Sequence, residues 1–325
     1  MNYRSIADLN RDIISGLHKI PEDVDLIVGV PRSGMLAATI LAMHLNLPLI
    51  DIDSFIQGLP SWFTLSRQSF KTKLQSDGRA ARRALILDDS VNSGNTMEKA
   101  KQKIYQANLS EKCLFAAVYV VPDKIKLVDI YFIKLPKPRI FEWNLMHHDV
   151  LTKCCIDIDG VLCRDPDDEE NDDGPRYQEF LCNVPAWHRP SFEIGWLVTS
   201  RLERYRQETE AWLRENGIDY RELIMMDLES AEERRRLGNY AAFKANVYAN
   251  TDAVLFVESS YDQALEIARL SGRRVLCYET GEMLWPEGIR GSVYRKKIDF
   301  KSHSWKQYIP KSFRNLYKKL FYKNK

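Results

Sequence analysis

The fold is decided by the stretch R-A-L-I-L-D-D-S-V-N-S-G-N-T, Arg83–Thr96. Its apolar run Ala84–Leu87 predicts a buried strand that ends at the two carboxylates of Asp88 and Asp89. A small polar turn follows, and then the helix-forming segment Met97–Ala107. The backbone amides of the turn and the positive end of the helix would converge on one point, which predicts a phosphate site. Because the adjacent carboxylates suit hydroxyl groups or Mg²⁺, the ligand should carry both a phosphate and a diol, as a ribose 5-phosphate does.

This pattern resembles the phosphoribosyl pyrophosphate (PRPP) signature of type I phosphoribosyltransferases, in which four apolar residues precede Asp-Asp and a Ser/Thr-Gly-x-Thr turn. The resemblance implies that Asp88 and Asp89 are catalytic and that PRPP binds to them and to the turn residues Ser93, Gly94, Asn95 and Thr96. Asn92 departs from the pattern, because the family has a smaller or acidic residue there, and this difference concerns the acceptor more than PRPP. Two other interpretations remain open: an ordinary strand-turn-helix, and a relative that only senses PRPP.

A second loop of the same kind lies earlier in the chain. Asp25–Val30 predicts a buried strand, and G-V-P-R-S-G, Gly29–Gly34, connects it to an apolar helix over Met35–Leu45. An arginine beside a helix N-terminus can bind phosphate oxygens through two parallel hydrogen bonds. In the resemblance this is the pyrophosphate loop, and its PRPP-binding residues are Arg32, Ser33 and Gly34.

Two features between these loops have alternative interpretations. Leu49–Ile52 predicts a strand, and the carboxylates of Asp51 and Asp53 at its end either help to hold Mg-pyrophosphate or are simply solvated. The basic segment Phe55–Arg83 has no clear periodicity. It is expected to be a loop that closes over PRPP and excludes water, as in the family, or a solvated surface loop.

The second half of the chain begins with different chemistry. The segment K-C-C-I-D-I-D-G-V-L-C-R, Lys153–Arg164, predicts a strand that ends at Asp157 and Asp159. Two alternate carboxylates can share an Mg²⁺ while one attacks phosphorus and the other handles a proton. A D-x-D pair also occurs in nucleotide-sugar glycosyltransferases, so the residues that follow decide between the two.

Those residues resemble the motifs of haloacid dehalogenase (HAD) superfamily phosphatases, in the same order. Thr199 matches motif II, Lys244 matches motif III, and E-S-S-Y-D, Glu258–Asp262, matches the D-x-x-x-D form of motif IV with Glu in place of the first Asp. The resemblance implies that Thr199 and Lys244 neutralise the transferring phosphoryl oxygens.

The same resemblance assigns the remaining roles. Asp157 would be the nucleophile, and Asp159 would protonate the leaving oxygen and then activate water. The implied cofactor is Mg²⁺, bound by Asp157, Asp159, Glu258 and Asp262. Only the segment Cys163–Phe192, with the acidic run Asp165–Asp173, separates motifs I and II. A minimal cap of this size would leave the site open to a bulky substrate.

Composition excludes several classes of protein. At 325 residues, with 45% apolar and 28% charged residues, the chain is long enough for two globular domains. No apolar run reaches the about 18 residues that span a bilayer, and the N-terminus lacks a signal-peptide core, so a cytoplasmic protein is expected. The six cysteines form no C-x-x-C pair, which argues against zinc and disulfides.

The C-terminal tail, Lys301–Lys325, carries eight Lys/Arg and no Asp/Glu, leaving 39 basic and 45 acidic residues in the rest of the chain. The chain before the tail is therefore not expected to bind nucleic acid. One apolar stripe at helical spacing runs through the tail: Phe313, Leu316, Tyr317, Leu320 and Phe321. The tail is expected to be an amphipathic helix that binds an anionic membrane surface or packs against the chain's own body.

The predicted architecture is α/β, with two Rossmann-like, doubly wound parallel-sheet domains. Residues 1–150 are the PRPP-binding domain, 151–298 the HAD-like domain with a minimal cap, and 299–325 the amphipathic tail. This arrangement resembles dual-domain ribofuranosyltransferases of bacterial surface-polysaccharide assembly. It implies transfer of 5-phosphoribosyl from PRPP to a lipid-linked glycan acceptor, followed by removal of the 5-phosphate, at the inner face of the cytoplasmic membrane.

Two other classes of protein fit the same motifs. One is a nucleobase or small-molecule phosphoribosyltransferase fused to a nucleotidase, and the other is a stress regulator that binds PRPP without turnover.

Overall fold

The computed structural model describes residues 1–60, 78–230, 232, 233, 236 and 238–287. The predicted tail helix and residues 61–77 of the predicted closing loop lie outside this part of the chain. Met1–Pro286 form one compact unit that contains two large sheets. Within the described ranges, no helix is long and apolar enough to cross a membrane.

The first large sheet has five strands, all parallel, in the order β3-β2-β4-β5-β6. Its strands are β2 (Leu26–Gly29), β3 (Leu49–Asp51), β4 (Ala84–Val91), β5 (Cys113–Val120) and β6 (Ile130–Lys134). The helices are α1 (Ile6–Gly16), α2 (Ser33–Leu45), α3 (Ile52–Gln57) and α4 (Asn95–Gln106), with short 3₁₀ turns at Leu17–Lys19, Gly78–Ala80, Ser110–Lys112 and Pro122–Leu127. Separate apolar clusters cover the two faces of the sheet, as expected for parallel strands joined by helices.

A two-stranded parallel sheet was not predicted. It pairs β1 (Asn2–Arg4) with β7 (Arg139–Phe141), and Asn2 lies opposite Arg139. This pairing ties the N-terminus to the segment that follows β6. Two 3₁₀ turns, Glu142–His147 and Asp149–Lys153, then lead to the second large sheet.

The second large sheet has the order β10-β9-β8-β11-β12-β13. Its strands are β8 (Cys154–Ile156), β9 (Ile194–Leu202), β10 (Tyr220–Met226), β11 (Leu255–Glu258), β12 (Val275–Cys277) and β13 (Glu282–Leu284). The helices are α5 (Pro175–Asn183), α6 (Arg206–Glu215), α7 (Tyr240–Ala249) and α8 (Tyr261–Ser271), with a 3₁₀ turn at Glu203–Tyr205. All neighbouring strands are parallel except β12 and β13. The predicted mixed α/β fold with parallel sheets is confirmed, whereas the antiparallel edge strand was not foreseen.

Several local predictions need correction. The strand predicted to end before Asp88 continues to Val91, so that Asp88 and Asp89 are buried within β4 and not at a solvated end. Asp51 caps α3 through the amides of Asp53 and Ser54. The Asp53 carboxylate lies 2.5 Å from Lys103 Nζ. The carboxylates of Asp51 and Asp53 therefore contact the start of α3 and a lysine of α4, respectively.

The acidic run and the basic loop are also partly ordered by ion pairs. In the acidic run, Glu170 bonds to Arg164, and Asp173 pairs with Arg204. The described end of the basic loop carries Arg82 and Arg83, which pair with Asp25 and Asp23. These pairs lie at the surface, so the choice between a closing loop and a solvated loop stays a prediction. Arg67, Lys71 and Lys73 of the basic segment lie outside the described residues.

Two candidate active sites

The first candidate site is a cleft of about 520 Å³ at the carboxyl end of the first sheet, called here the first cleft. One part of its wall comes from the end of β4 and the turn before α4. Another part comes from β7 and the 3₁₀ turns after it, and Met1 also contributes. The predicted PRPP residues that line the first cleft are Ser33, Asp88, Asp89, Ser93, Gly94 and Thr96. The other three, Arg32, Gly34 and Asn95, are not among the described residues of its wall.

Gly34 nevertheless brings the two predicted loops together. A Cβ atom at this position would lie 2.9 Å from Asp88 Oδ1 and 2.9 Å from the carbonyl oxygen of Leu87. The first turn of α2 therefore packs directly against Leu87 and Asp88 of β4, so closely that a residue with a Cβ atom does not fit at position 34 without a shift. This close packing places the predicted pyrophosphate loop next to the carboxylate pair.

The two carboxylates of the first cleft have different surroundings. Asp89 accepts hydrogen bonds from Ser33 Oγ at 2.7 Å and from Trp143 Nε1 at 2.9 Å. Asp88 is 5% exposed and accepts the amide of Asp89 at 2.9 Å. Burial raises the pKa of the Asp88 carboxyl well above its usual range, and the neighbouring Asp89 charge adds to the shift. The pair is therefore held close together, and adding a cation or a diol would relieve its repulsion.

Arg139 on β7 lines the first cleft and was not predicted as a site residue. Its side chain is buried, and Nη1 and Nη2 have no hydrogen-bond partner among the described residues. Burial lowers the pKa of the guanidinium, and the Asp89 carboxylate opposes that shift. The guanidinium carbon lies 5.3 Å from the centroid of the Phe141 ring.

Phe141 belongs to a cluster of three aromatic rings, called here the aromatic cluster. Its centroid is 5.2 Å from that of Tyr119 and 4.9 Å from that of Trp143, and the centroids of Tyr119 and Trp143 are 6.4 Å apart. Trp143 is the hydrogen-bond donor to Asp89. The aromatic cluster therefore contacts both Arg139 and Asp89, and it joins Tyr119 to a segment that is distant in the sequence.

The second candidate site lies at the carboxyl end of the second sheet. Lys244 Nζ on α7 donates hydrogen bonds to Asp157 Oδ2 at 2.6 Å and to Glu258 Oε2 at 2.7 Å. Asp157 follows β8, Glu258 ends the neighbouring β11, and the side chain of Lys244 is only 2% exposed. These three residues are called the lysine cluster. Thr199, which is fully buried, lies on β9, the strand on the other side of β8.

Charge is unevenly balanced in the lysine cluster. Burial raises the pKa of the Asp157 carboxyl, and the Lys244 ammonium opposes the rise. The two carboxylates together raise the pKa of Lys244, which therefore stays protonated. Two buried carboxylates share one ammonium group, and this excess of negative charge suits a further cation.

Asp159 is held by an arginine. Its carboxylate accepts hydrogen bonds from Arg201 Nη2 at 2.6 Å and from Arg201 Nε at 3.1 and 3.2 Å. The Arg201 side chain is fully buried, and its guanidinium carbon lies 5.7 Å from the Trp212 ring centroid. Asp159 is therefore held in an ion pair, and its predicted role as a proton donor stays a prediction. Arg201 lies two positions after Thr199 in the sequence and was not predicted as a site residue.

The predicted metal ligands do not all converge. Asp262 lies in the first turn of α8 and is exposed. In the described part of the chain, no group of three or more His, Cys, Asp or Glu side chains is arranged to hold a metal ion. Asp165 lies near Asp159 but was not predicted as a metal ligand. A Cβ atom at Gly160, the residue after Asp159, would lie 2.9 Å from Asp165 Oδ2. Burial, together with the charges of Asp159 and Glu258, raises the pKa of Asp165.

The histidines of the junction have structural partners. His147 Nδ1 bonds to Ser191 Oγ at 2.7 Å, and His148 Nδ1 accepts the amide of Val150 at 3.0 Å. These contacts tie the two histidines to neighbouring segments of the junction between the two large sheets.

Comparison with known proteins concerns the first sheet. Residues 2–151 match the phosphoribosyl transferase domain family. The xanthine-guanine phosphoribosyltransferase of Chromohalobacter salexigens is 28% identical over 140 residues, which cover 42% of this chain and 80% of that protein. The corresponding enzyme of Desulfotalea psychrophila is 31% identical over 124 residues, which cover 36% of this chain and 69% of that protein.

Among solved structures, a purine phosphoribosyltransferase from Pyrococcus horikoshii Ot3 matches 43% of this chain and 92% of its own, with 21% identity and a TM-score of 0.31. The matched family residues end at 151, before the second large sheet begins.

Proposed function

The chain belongs to the phosphoribosyltransferase family, and we propose that it is a two-step ribofuranosyltransferase for a bacterial surface polysaccharide. Family membership carries phosphoribosyltransferase activity on PRPP. The finer proposal is that the acceptor is a hydroxyl group of a lipid-linked glycan and that the second sheet removes the 5-phosphate from the product. Ribofuranose then remains on the glycan.

In the first step, the bond from C1 of the ribose to the acceptor oxygen forms and the bond from C1 to pyrophosphate breaks. The acceptor's hydroxyl proton is released to solvent. Ser93, Gly94, Asn95 and Thr96, at the N-terminus of α4, bind the 5-phosphate, because the first amides of a helix lack internal partners. Asp88 and Asp89 face the ribose hydroxyls, and the Arg32–Gly34 loop binds the departing pyrophosphate.

The second step is hydrolysis of the 5-phosphate at the lysine cluster. Asp157 attacks phosphorus, the bond between phosphorus and the sugar oxygen breaks, and water then hydrolyses the aspartyl phosphate. Lys244 and Thr199 neutralise the phosphoryl oxygens, and Asp159 transfers the protons after Arg201 releases its carboxylate. The single observation that carries this step is the buried ammonium of Lys244 between Asp157 and Glu258.

Mg²⁺ is the proposed cofactor of both steps. The unbalanced negative charge of the lysine cluster fits a divalent cation, and Asp157 and Glu258 would hold it, with Asp159, Asp165 or Asp262 completing the set. The cation supplies positive charge to the transferring phosphoryl group. Asp88 and Asp89 are the corresponding acidic pair in the first cleft.

A second candidate function is favoured by the curated relatives. Both relatives described above are xanthine-guanine phosphoribosyltransferases, so a purine acceptor, with a nucleotidase in the second sheet, is the alternative. This enzyme would release pyrophosphate with xanthine or guanine and would not modify glycans.

The test uses Asp157→Asn in the full chain with PRPP, Mg²⁺ and a lipid-linked glycan acceptor. We expect pyrophosphate release at the wild-type rate, no inorganic phosphate, and mass-spectrometric accumulation of a glycan that carries a phosphopentose. Wild-type protein should yield the pentose alone, and Asp88→Asn should yield neither product. Normal phosphate release by Asp157→Asn would disprove the phosphatase assignment. Turnover with purines but not with glycans would show that the acceptor is a purine.

The proposed location is the inner face of the cytoplasmic membrane, where lipid-linked glycans are assembled. The proposed anchor is the basic tail, whose structure lies outside the described residues.

A further inference from the structure

Arg139 is a buried charged side chain of the first cleft that the reaction above does not use, whereas Lys137 and Asp149, which also line the cleft, are exposed. It is 7% exposed, and both terminal nitrogens lack hydrogen-bond partners among the described residues. Arginine cannot lose its charge at neutral pH, so burying its guanidinium group lowers the stability of the fold unless an anion accepts its hydrogen bonds. An unpartnered guanidinium at the wall of a binding cleft points to a ligand group.

The guanidinium is held rigidly. Arg139 is fixed in β7 by its pairing with Asn2, and its guanidinium lies over Phe141, which stacks on Trp143 in the aromatic cluster. Trp143 in turn donates to Asp89. Because the guanidinium and the Asp89 carboxylate contact the same aromatic cluster, an anion on Arg139 would lie at a fixed position relative to a ribose bound to Asp89.

In the proposed reaction, the anions of PRPP have other binding sites. The 5-phosphate binds at the turn before α4, and the pyrophosphate binds at the loop before α2, since each loop leads into a helix N-terminus. Arg139 belongs to neither loop, since it enters the cleft from β7, outside the five-stranded sheet. The group that it binds should therefore come from the second substrate. A planar fork with two free N–H-bearing nitrogens matches a carboxylate in a bidentate geometry.

We infer that Arg139 binds a carboxylate of the acceptor, so that the substrate class is an acidic sugar or an acidic heterocycle and not a neutral one. This inference rests on the proposed transferase function and adds its substrate class. Arg139 is a specificity residue in this view, because it binds the acceptor away from the bond that forms.

The first measurement is pyrophosphate release by the full chain with PRPP and Mg²⁺. Two matched acceptor pairs distinguish the sources of the carboxylate: methyl glucuronoside against methyl glucoside, and orotate against uracil. We expect wild-type protein to prefer the acidic member of one pair by about 100-fold or more in kcat/KM, since unpaired buried groups reject the analogue that lacks their partner. In Arg139→Met the preference should fall to within about 3-fold.

A second measurement does not depend on turnover. Glucuronate or orotate should raise the Tm of wild-type protein more than glucose or uracil does, and this difference should vanish in Arg139→Met. Without ligand, Arg139→Met should not lower Tm, because it removes an unpaired buried charge and keeps an apolar stem. PRPP affinity, measured by calorimetry, should stay within about 3-fold of wild type.

The matched control is Arg4→Met. Arg4 lies over the Tyr119 ring of the same aromatic cluster. It differs from Arg139 because it pairs with Asp12 at 3.1 Å and is not among the residues that line the cleft. This variant should lower Tm and keep the acceptor preference.

Each contrary result is informative. Equal use of acidic and neutral acceptors, or no Tm shift of wild type by either acid, overturns the carboxylate assignment and leaves the transferase intact. Loss of PRPP affinity in Arg139→Met reassigns the residue to pyrophosphate and also overturns the inference. Absence of both PRPP binding and pyrophosphate release in wild type overturns the proposed transferase itself.

Discussion

The two acidic sites of this chain balance their charge in opposite ways. In the first cleft, Asp88 and Asp89 are buried side by side, and their hydrogen-bond donors among the described residues are neutral: Ser33, Trp143 and the backbone. In the second site, Lys244 binds two carboxylates and Arg201 binds a third. The first pair of carboxylates therefore has no cation in direct contact within the described structure, although the Arg139 guanidinium lies in the same cleft, whereas the carboxylates of the second site are paired with cations of the fold.

This difference agrees with the chemistry proposed for each site. PRPP is expected to arrive with Mg²⁺, which supplies cationic charge only when substrate is present. A phosphate monoester needs permanent positive charge around the oxygens that become more negative in the transition state. Direct ion pairs in the second site therefore fit the proposed phosphoryl transfer, and carboxylates without a direct ion pair in the described part of the first site fit the proposed binding of PRPP with Mg²⁺.

The largest expected effect comes from removing the internal cation of the second site. Lys244→Met leaves two buried carboxylates unpaired, so it should lower the free energy of unfolding by about 3–5 kcal/mol and abolish phosphate release. Urea denaturation and a phosphate assay measure the two effects. Lys103→Met, which breaks an ion pair at the surface, is the control and should change stability by less than about 1 kcal/mol. A Lys244→Met protein as stable as wild type would show that the carboxylates do not need this ammonium.

A smaller effect is expected from separating the loops of the first cleft. Gly34→Ala places a methyl group 2.9 Å from Asp88 Oδ1, and relief of this contact should cost about 1–3 kcal/mol of stability. The KM for PRPP should rise more than the KM for the acceptor, because the pyrophosphate loop moves away from the carboxylates. Gly217→Ala provides a comparison, since nothing lies within 4 Å of a Cβ there, although its positive φ carries its own strain. An unchanged PRPP KM in Gly34→Ala would show that the close approach is not needed for binding.

The smallest effect has the opposite sign. Asp88→Asn removes a buried carboxyl whose ionised form is disfavoured beside Asp89, so it should stabilise the ligand-free protein by about 1 kcal/mol where that carboxyl is ionised, while abolishing pyrophosphate release. A carboxyl whose pKa is raised by folding gives its full stability below its unfolded pKa and loses it as the pH rises through the folded pKa. The advantage of Asp88→Asn should therefore shrink as the pH falls from 8 towards 4.

Tm measured across that pH range tests this prediction. Asp129→Asn is the reference, because Asp129 is a carboxylate that accepts the Phe115 amide elsewhere in the same sheet. A pH-independent difference between Asp88→Asn and wild type would contradict the raised pKa of Asp88.

Much of the fold followed from local patterns. Short apolar runs predicted the parallel strands, and Gly-containing turns before helices predicted where phosphates should bind. Asp157, Thr199, Lys244 and Glu258 were grouped by their resemblance to four motifs in order, and the structure brings Lys244 into contact with two of them. Strand ends were less predictable, because pairing with β5 continues β4 through the carboxylates as far as Val91. The β1–β7 pair joins segments more than 130 residues apart and leaves no local signal.

The sequence by itself determined the α/β class, the order of the motifs and the membership of the first half in its family, because these depend on residues adjacent in the chain. Only the tertiary structure decided that Asp159 is paired with Arg201, that Trp143 holds Asp89, and that the terminal nitrogens of Arg139 have no hydrogen-bond partner within the described ranges. The physical reason is that burial and counter-charge depend on which distant segments pack together. Side chains with the same charge are therefore neutralised in one place and left to bind a ligand in another.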